Sequence, residues 1–90
     1  MTCDSAAGTP RERVLVYGKP GCHLCATAEE VVTAVCAELG VSWRRVDISR
    51  DAALMRHYGE QIPVVFVDGR QHDFWRVDSA RLRAALTAHP

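Results

Sequence analysis

The chain has ninety residues, with eleven basic and eleven acidic side chains and a formal net charge of zero. That length suits one small domain, and balanced charge gives no pull toward nucleic acid or an anionic membrane surface. Hydrophobic residues make up 48% of the chain, enough for a packed core, and the four cysteines are too sparse for a disulfide-built secreted scaffold.

No apolar run reaches the length of a membrane span. The opening Met1-Thr2-Cys3-Asp4-Ser5 lacks the basic and apolar regions of a secretory signal. A cytoplasmic monomer is therefore expected, with residues 1–10 a disordered lead-in and 11–90 a single domain.

Arg13 to Gly18 is a near-continuous apolar run of the kind found in a buried central strand. Gly18, Pro20 and Gly21 break it. From Cys22, the apolar positions Leu24, Ala28, Val31, Val32, Val35, Cys36 and Leu39 form one wide helical stripe, ended by Gly40 as a left-handed cap. Val41 to Ile48 is a second strand, with Arg44-Arg45 marking an exposed or edge position. Ser49 is placed to cap a short helix over 51–58, with Asp51 in its first turn and Gly59 as its stop.

Ile62 to Arg70 is the most strand-like run. Pro63 stands at its start, where the missing N–H is tolerated, and Asp68-Gly69 signals a hairpin turn. Gln71 to Arg76 is the returning strand, with Phe74 and Trp75 adding apolar area near its end. Asp78 caps a last helix, Val77 and Leu82 are spaced as a hydrophobic staple, and Leu82, Ala85 and Leu86 share a face. The class is α/β, in the order β-α-β-α-β-β-α. The first two strands should be parallel through a right-handed crossover and the last two a hairpin, giving a mixed sheet.

Cys22 and Cys25 stand where the first strand gives way to the first helix. A Cys-x-x-Cys beside a strand–helix–strand pattern reads as a thiol–disulfide redox site. Unpaired N–H groups and the positive dipole end of a helix favour a thiolate there. A spacing of three brings both sulfurs to one side of the first turn.

Lys19 is the single lysine beside ten arginines. It is either a surface residue of an arginine-biased chain or an ammonium placed to favour the thiolate or pair with a substrate carboxylate. His23 is either a solvated side chain or a protonated imidazole that makes the disulfide more oxidising. Cys36 lies on the apolar stripe as a core residue. His57, His72 and His89 read as surface residues. Trp43 and Trp75 read as packing residues, with Trp75 also able to border a substrate groove.

A competing reading makes Cys22 and Cys25 two thiolates of a metal site, completed by His23, His57 or a second subunit. Structural zinc takes four ligands, and no second pair stands at finger-like spacing, so no residue is assigned to a metal. A partner-docking domain without turnover is a third reading.

The run Val14-Leu15-Val16-Tyr17-Gly18-Lys19-Pro20-Gly21-Cys22-His23-Leu24-Cys25 resembles the opening strand and active-site loop of glutaredoxins. Ile62-Pro63-Val64 is similar in position to the cis-proline loop of the thioredoxin superfamily, and the element order is similar from Arg11 to the last helix. The resemblance implies a mixed four-stranded sheet flanked by helices, Cys22 as exposed nucleophile, Cys25 as the more buried resolving thiol, and a cis Pro63. It implies a thiol–disulfide oxidoreductase acting on a protein or small-thiol disulfide. Its substrate site is expected at Lys19, His23, Leu24, Ile62, Pro63 and Trp75. No cofactor is expected beyond the redox-active disulfide, with a low-molecular-weight thiol as possible co-substrate and a separate reductant.

Two departures bear on the substrate. His23-Leu24 replaces the proline–aromatic pair common in glutaredoxins. Asp73-Phe74-Trp75-Arg76-Val77-Asp78 stands where many glutaredoxins use paired glycines and an acid to hold glutathione. The bulk of Phe74 and Trp75 there argues against ordinary glutathione binding. The chain is most similar to small bacterial glutaredoxin-like proteins.

Overall fold

The first strand is the apolar run that the sequence marks, and the sheet is assembled around it. The structure, a computed structural model, describes residues 12–88. The lead-in assigned to 1–10 and the residue His89 lie outside these. In chain order the elements are β1 (Glu12–Gly18), α1 (His23–Leu39), β2 (Ser42–Asp47), α2 (Ala52–Tyr58), β3 (Val64–Val67), β4 (Arg70–Phe74) and α3 (Ser79–Ala88).

The four strands lie in the order β2-β1-β3-β4. β1 runs parallel to β2 and antiparallel to β3, and β3 pairs antiparallel with β4. The hairpin closes on Asp68 (φ 52°) and Gly69 (φ 83°). Two successive positive φ values are the backbone of a type I′ turn, whose twist suits a two-residue hairpin.

Strand alternation divides the apolar side chains between two faces. On one face Val14, Val16, Val65 and Val67 pack against Val32, Val35 and Cys36 of α1 and Leu82 and Leu86 of α3, with Trp43 partly buried at the margin. On the other, Val64 and Ile48 meet Ile62 and Cys25, flanked by Tyr17, Phe66 and the α2 residues Leu54, Met55 and Tyr58. Burying each such aliphatic side chain stabilises the fold by about 1.5–3 kcal/mol. Cys25 belongs to the second cluster although most of its helix packs on the first, because it lies in the first turn, at the end of α1 nearest the end of β1.

Helix ends follow their capping chemistry, with one correction. Gly40 ends α1 at φ 69°. Asp78 caps α3 by accepting the Ala80 and Arg81 N–H groups at 2.8 and 3.1 Å, and Val77 and Leu82 of the staple both join the first cluster. Asp51, not Ser49, caps α2, through the Leu54 N–H at 3.0 Å. The Ser49 N–H is already held by Asp47 Oδ1 at 2.9 Å, which places Ser49 in the preceding turn.

Three further expectations change. β3 begins at Val64, after Pro63, and β4 ends at Phe74, so Trp75 and Arg76 lie beyond the sheet. The β3–β4 register skips His72 between the Val65–Asp73 and Phe66–Gln71 pairs. Such a bulge re-aims its side chain, and His72 is half-buried with an enclosed Nε2, not a surface residue. Leu24, counted on the apolar stripe of α1, faces outward.

Arg13 clamps the hairpin turn to β1. Its guanidinium donates to both oxygens of Asp68 at 2.9 and 2.8 Å and to the Leu86 carbonyl at 3.2 Å. Among the described residues no helix is long and apolar enough to cross a membrane.

Leu82 is fully buried and tied into both α1 and the sheet. Leu82→Ala is expected to cost about 2–5 kcal/mol, read as a lowered urea midpoint with unchanged slope.

Candidate active site

β1 ends at Gly18, and the turn that follows uses Gly21 at φ 77° to bring Cys22 to the start of α1. Cys22 is the N-cap, in extended conformation at φ −95° and ψ 112°. Its Sγ accepts the Cys25 N–H at 3.2 Å, and its carbonyl accepts the Ala26 N–H at 3.1 Å. A spacing of three is the N-cap to N3 distance. The sulfur therefore takes the place that a serine or aspartate oxygen takes in an ordinary cap.

Cys22 is half-buried and Cys25 buried, and both are free thiols. Burial is the main force on Cys25, pushing its thiol up to about 11, with the hydrogen bond to Cys22 adding to it and the Lys19 N–H opposing it. Gly18 makes room for this sulfur. A Cβ at residue 18 would stand 3.0 Å from Cys25 Sγ, so any larger residue would press on that sulfur. The sequence shows Gly18 as a strand breaker, and its service to Cys25 is visible only in three dimensions.

Of the expected substrate residues, Ile62 is buried in one cluster with Cys25, and Cys22 packs against that cluster. The Ile62–Pro63 peptide bond is cis. Behind them Tyr17, Tyr58 and Phe66 interlock, with ring centroids 4.8 to 5.7 Å apart. His23 is exposed at the first helical position.

Leu24 and Trp75 come together in a groove of about 360 Å³ that also involves Thr27, Ala28, Val31, Arg76 and Val77. Among the described residues the exposed large hydrophobic side chains are Leu24 (42%), Phe74 (43%) and Trp75 (52%); Leu24 and Trp75 line this groove, and Phe74 packs edge-on to Trp75 with ring centroids 5.1 Å apart. Leu24, Thr27 and Val31 follow helical spacing, a signal that could have marked the groove wall from sequence. Arg76 and Val77 carry no such signal, since nothing local points a loop at a helix.

Trp75 sits at φ 63°, with the Arg76 N–H on the Phe74 carbonyl at 2.7 Å. This is the positive-φ γ-turn, a rare and strained form for a bulky residue, worth about 1–3 kcal/mol. Its own donors hold it: the Trp75 N–H is shared between the Pro63 and Gln61 carbonyls at 2.9 and 3.3 Å, and the indole Nε1 donates to the Glu60 carbonyl at 2.8 Å. Asp73 steadies the same loop through Arg81 at 3.2 Å.

Lys19 lies apart from that groove. It is exposed and lines a second hollow, of about 230 Å³, with Gly18, Pro20, Glu29, Arg45 and Asp47. Among the described residues no group of three or more His, Cys, Asp or Glu side chains is arranged to hold a metal ion.

Residues 13–87 match the glutaredoxin-like domain (DUF836). The chain belongs to this glutaredoxin-like family. An uncharacterized protein of Mycobacterium tuberculosis is 34% identical to it over 81 residues, 84% of each chain. Protein XcR50 from X. campestris, known by X-ray structure, is 37% identical with a TM-score of 0.72, covering 86% of this chain and 99% of its own. A mutant thioredoxin from Halobacterium salinarum superposes with a TM-score of 0.59 at 22% identity, over 87% of this chain and 75% of that one. The glutaredoxin-like chain thus has a thioredoxin-like fold, a mixed four-stranded sheet with three helices.

Two buried thiols tie stability to alkaline pH. Burial pushes both Cys25 and Cys36 from 9.0 to about 11. Unfolded thiols ionise at the lower value, so the unfolded state loses protons first as pH rises. The associated stability is whole below pH 9.0 and is lost as pH climbs toward about 11. Denaturation of the reduced protein across that window should show the fall, and Cys36→Ala should remove roughly half of its slope, as one of two equal proton steps.

Proposed function

We propose that the chain is a thiol–disulfide oxidoreductase working through the Cys22–Cys25 dithiol. The observation that carries this is the N-cap sulfur: Cys22 Sγ accepts the Cys25 N–H at the positive end of a 17-residue helix, while the partner thiol lies buried next to it. Negative charge on that sulfur meets a hydrogen-bond donor and the helix dipole together.

Cys22 as thiolate attacks a substrate disulfide, forming a mixed disulfide and releasing one substrate thiolate. The Cys25 sulfur then attacks Cys22, closing the intramolecular disulfide and releasing the second substrate sulfur reduced. A separate dithiol or small-thiol reductant returns the pair to the reduced state. The protein itself needs no cofactor beyond that disulfide.

Leu24 and Trp75 offer an apolar wall and Ile62 a backbone edge for an extended chain, while the Pro63 carbonyl is taken by the Trp75 N–H, His23 stands exposed at the helix start and Lys19 lies on the separate hollow. Trp75 fills the loop with a ring pinned in a strained turn, which supports a protein disulfide as substrate over ordinary glutathione. A strained, exposed aromatic sharing a groove with Leu24, two residues from Cys22, is where an interaction surface is expected.

The metal-binding reading would need ligands beyond the two thiols, and no such group stands together among the described residues. Cys25→Ser should trap Cys22 in stable mixed disulfides that identify the partners, whereas Cys22→Ser should trap none. Stoichiometric metal with both thiols protected from alkylation would overturn the proposal. Mixed disulfides with glutathione alone would overturn the preference for protein. Trp75→Ala should lower kcat/KM for a peptide disulfide flanked by leucine by about tenfold, as loss of a buried aromatic anchor does, and leave that for glutathione disulfide unchanged or higher.

A further inference from the structure

The groove between α1 and the loop after β4 carries a single charged side chain on its wall. Leu24, Ala28 and Val31 of α1 line it with Trp75 and Val77, and Arg76 is the cation among them. Thr27, the other polar member, donates its hydroxyl hydrogen to the His23 carbonyl at 3.2 Å, which leaves the oxygen as an acceptor only. At about 360 Å³ the groove is at the small end of binding clefts, a size that suits an inserted side chain.

Two acids lie close to Arg76 in sequence, and both are already engaged. Asp73 holds Arg81 at 3.2 Å and its side chain is only 13% exposed. Asp78 caps α3 through the Ala80 and Arg81 N–H groups. The exposed side chains of Glu30 and Glu60 stand off the groove wall. Among the described residues Arg76 therefore has no ion pair. Its backbone is nevertheless fixed. The Arg76 N–H donates to the Phe74 carbonyl at 2.7 Å, and the neighbouring Trp75 is held at its own N–H and at its indole. An exposed arginine is ordinary by itself. One set on a rigid turn, in an apolar groove that includes Leu24, two residues after Cys22, is placed to read the charge that accompanies an apolar side chain.

We propose that Arg76 is a specificity-determining residue that selects protein disulfides in which an apolar side chain is followed, within a few residues, by a carboxylate. This rests on the dithiol reading above and names the class of protein that it serves. The apolar side chain lies on Leu24 and Trp75, and the guanidinium donates two parallel N–H bonds to the carboxylate, a geometry that lysine does not reproduce. Glutathione carries carboxylates without an apolar side chain and so uses only part of this surface. A segment with lysine in place of the acid is repelled, so the same residue that attracts one partner rejects another.

The test is single-turnover reaction of the reduced protein, in a Cys3→Ser background, with peptide mixed disulfides of a coloured aromatic thiol. Each peptide has leucine beside its cysteine and glutamate, glutamine or lysine one, two or three positions further on. At the best position glutamate should exceed glutamine by about fivefold at low salt, the upper end for an exposed ion pair, with lysine slowest. The preference should reside in the half-saturating concentration, as uniform binding does, and fade as salt is raised. Arg76→Gln should bring the glutamate-to-glutamine ratio to one, Arg76→Glu should reverse the order, and Arg76→Lys should keep part of it, with urea midpoints measured alongside. Equal rates for glutamate and lysine peptides at every position in the parent overturn the role of Arg76. So does a glutamate preference that survives in Arg76→Gln. If the glutathione mixed disulfide loses as much rate in Arg76→Gln as the glutamate peptide does, the selection of a protein partner is overturned. A parent that releases no colour with any of them overturns the dithiol reading itself.

Discussion

The sulfur of Cys22 closes the N-terminus of α1, and the geometry of the dithiol follows from that one hydrogen bond. A helix start exposes N–H groups that lack intrahelical partners. Here the donor at the third helical position is the Cys25 amide, and the acceptor is a thiol at the N-cap. The same bond that caps the helix thus delivers a donor to the reactive atom. It also fixes where Cys25 falls: in the first turn, directed into the apolar cluster of Ile48, Ile62 and Val64. One thiol is left at the rim and the other is placed beneath it.

That arrangement costs something at two places, and both lie at the site. Burying Cys25 makes its ionisation harder. Trp75 occupies a left-handed backbone that a bulky residue avoids, offset by its amide bond to Pro63 and its indole bond to Glu60. Elsewhere local preference and global fold agree, from the Asp68-Gly69 turn to the Asp78 cap. Departures from local rules are expected at functional sites, and these two lie at the candidate site.

The two hollows divide the surroundings of the dithiol by chemistry. The Leu24–Trp75 groove is lined mainly by apolar side chains. The Lys19–Glu29–Arg45 hollow is charged and shares Gly18 with the Cys25 contact. Lys19, beside the cysteines in sequence, belongs to the second of these. Lys19, three positions before Cys22, is thereby grouped with the surroundings of Gly18 and Cys25, not with the Leu24–Trp75 groove.

Much of the fold was legible because it is written in short-range periodicity. Alternation in β1 and β3, the three-and-four spacing of α1, the Asp68-Gly69 pair and the Asp78–Val77–Leu82 staple are each decided by residues within one turn or one strand of each other. Ser49 was the expected cap of α2, and Asp51 takes that place because its carboxylate, directly before the first helical residue Ala52, reaches the Leu54 N–H, while Ser49 stands in the preceding turn. His72 looked like a surface residue because a bulge does not show in alternation.

The sequence by itself determined the order of elements, the mixed sheet and the Cys-x-x-Cys at a helix start, since each depends on local propensity and on a spacing that a helix converts directly into geometry. Only the tertiary structure decided which residues attend the dithiol. The bare backbone of Gly18 beside Cys25 Sγ, the Trp75 indole N–H on the Glu60 carbonyl, and Glu29 held by Arg45 all join elements that meet because the sheet brings β1, β2 and the loop after β4 to one end. No local pattern encodes that meeting, because it is the packing of the whole core that sets which loops become neighbours.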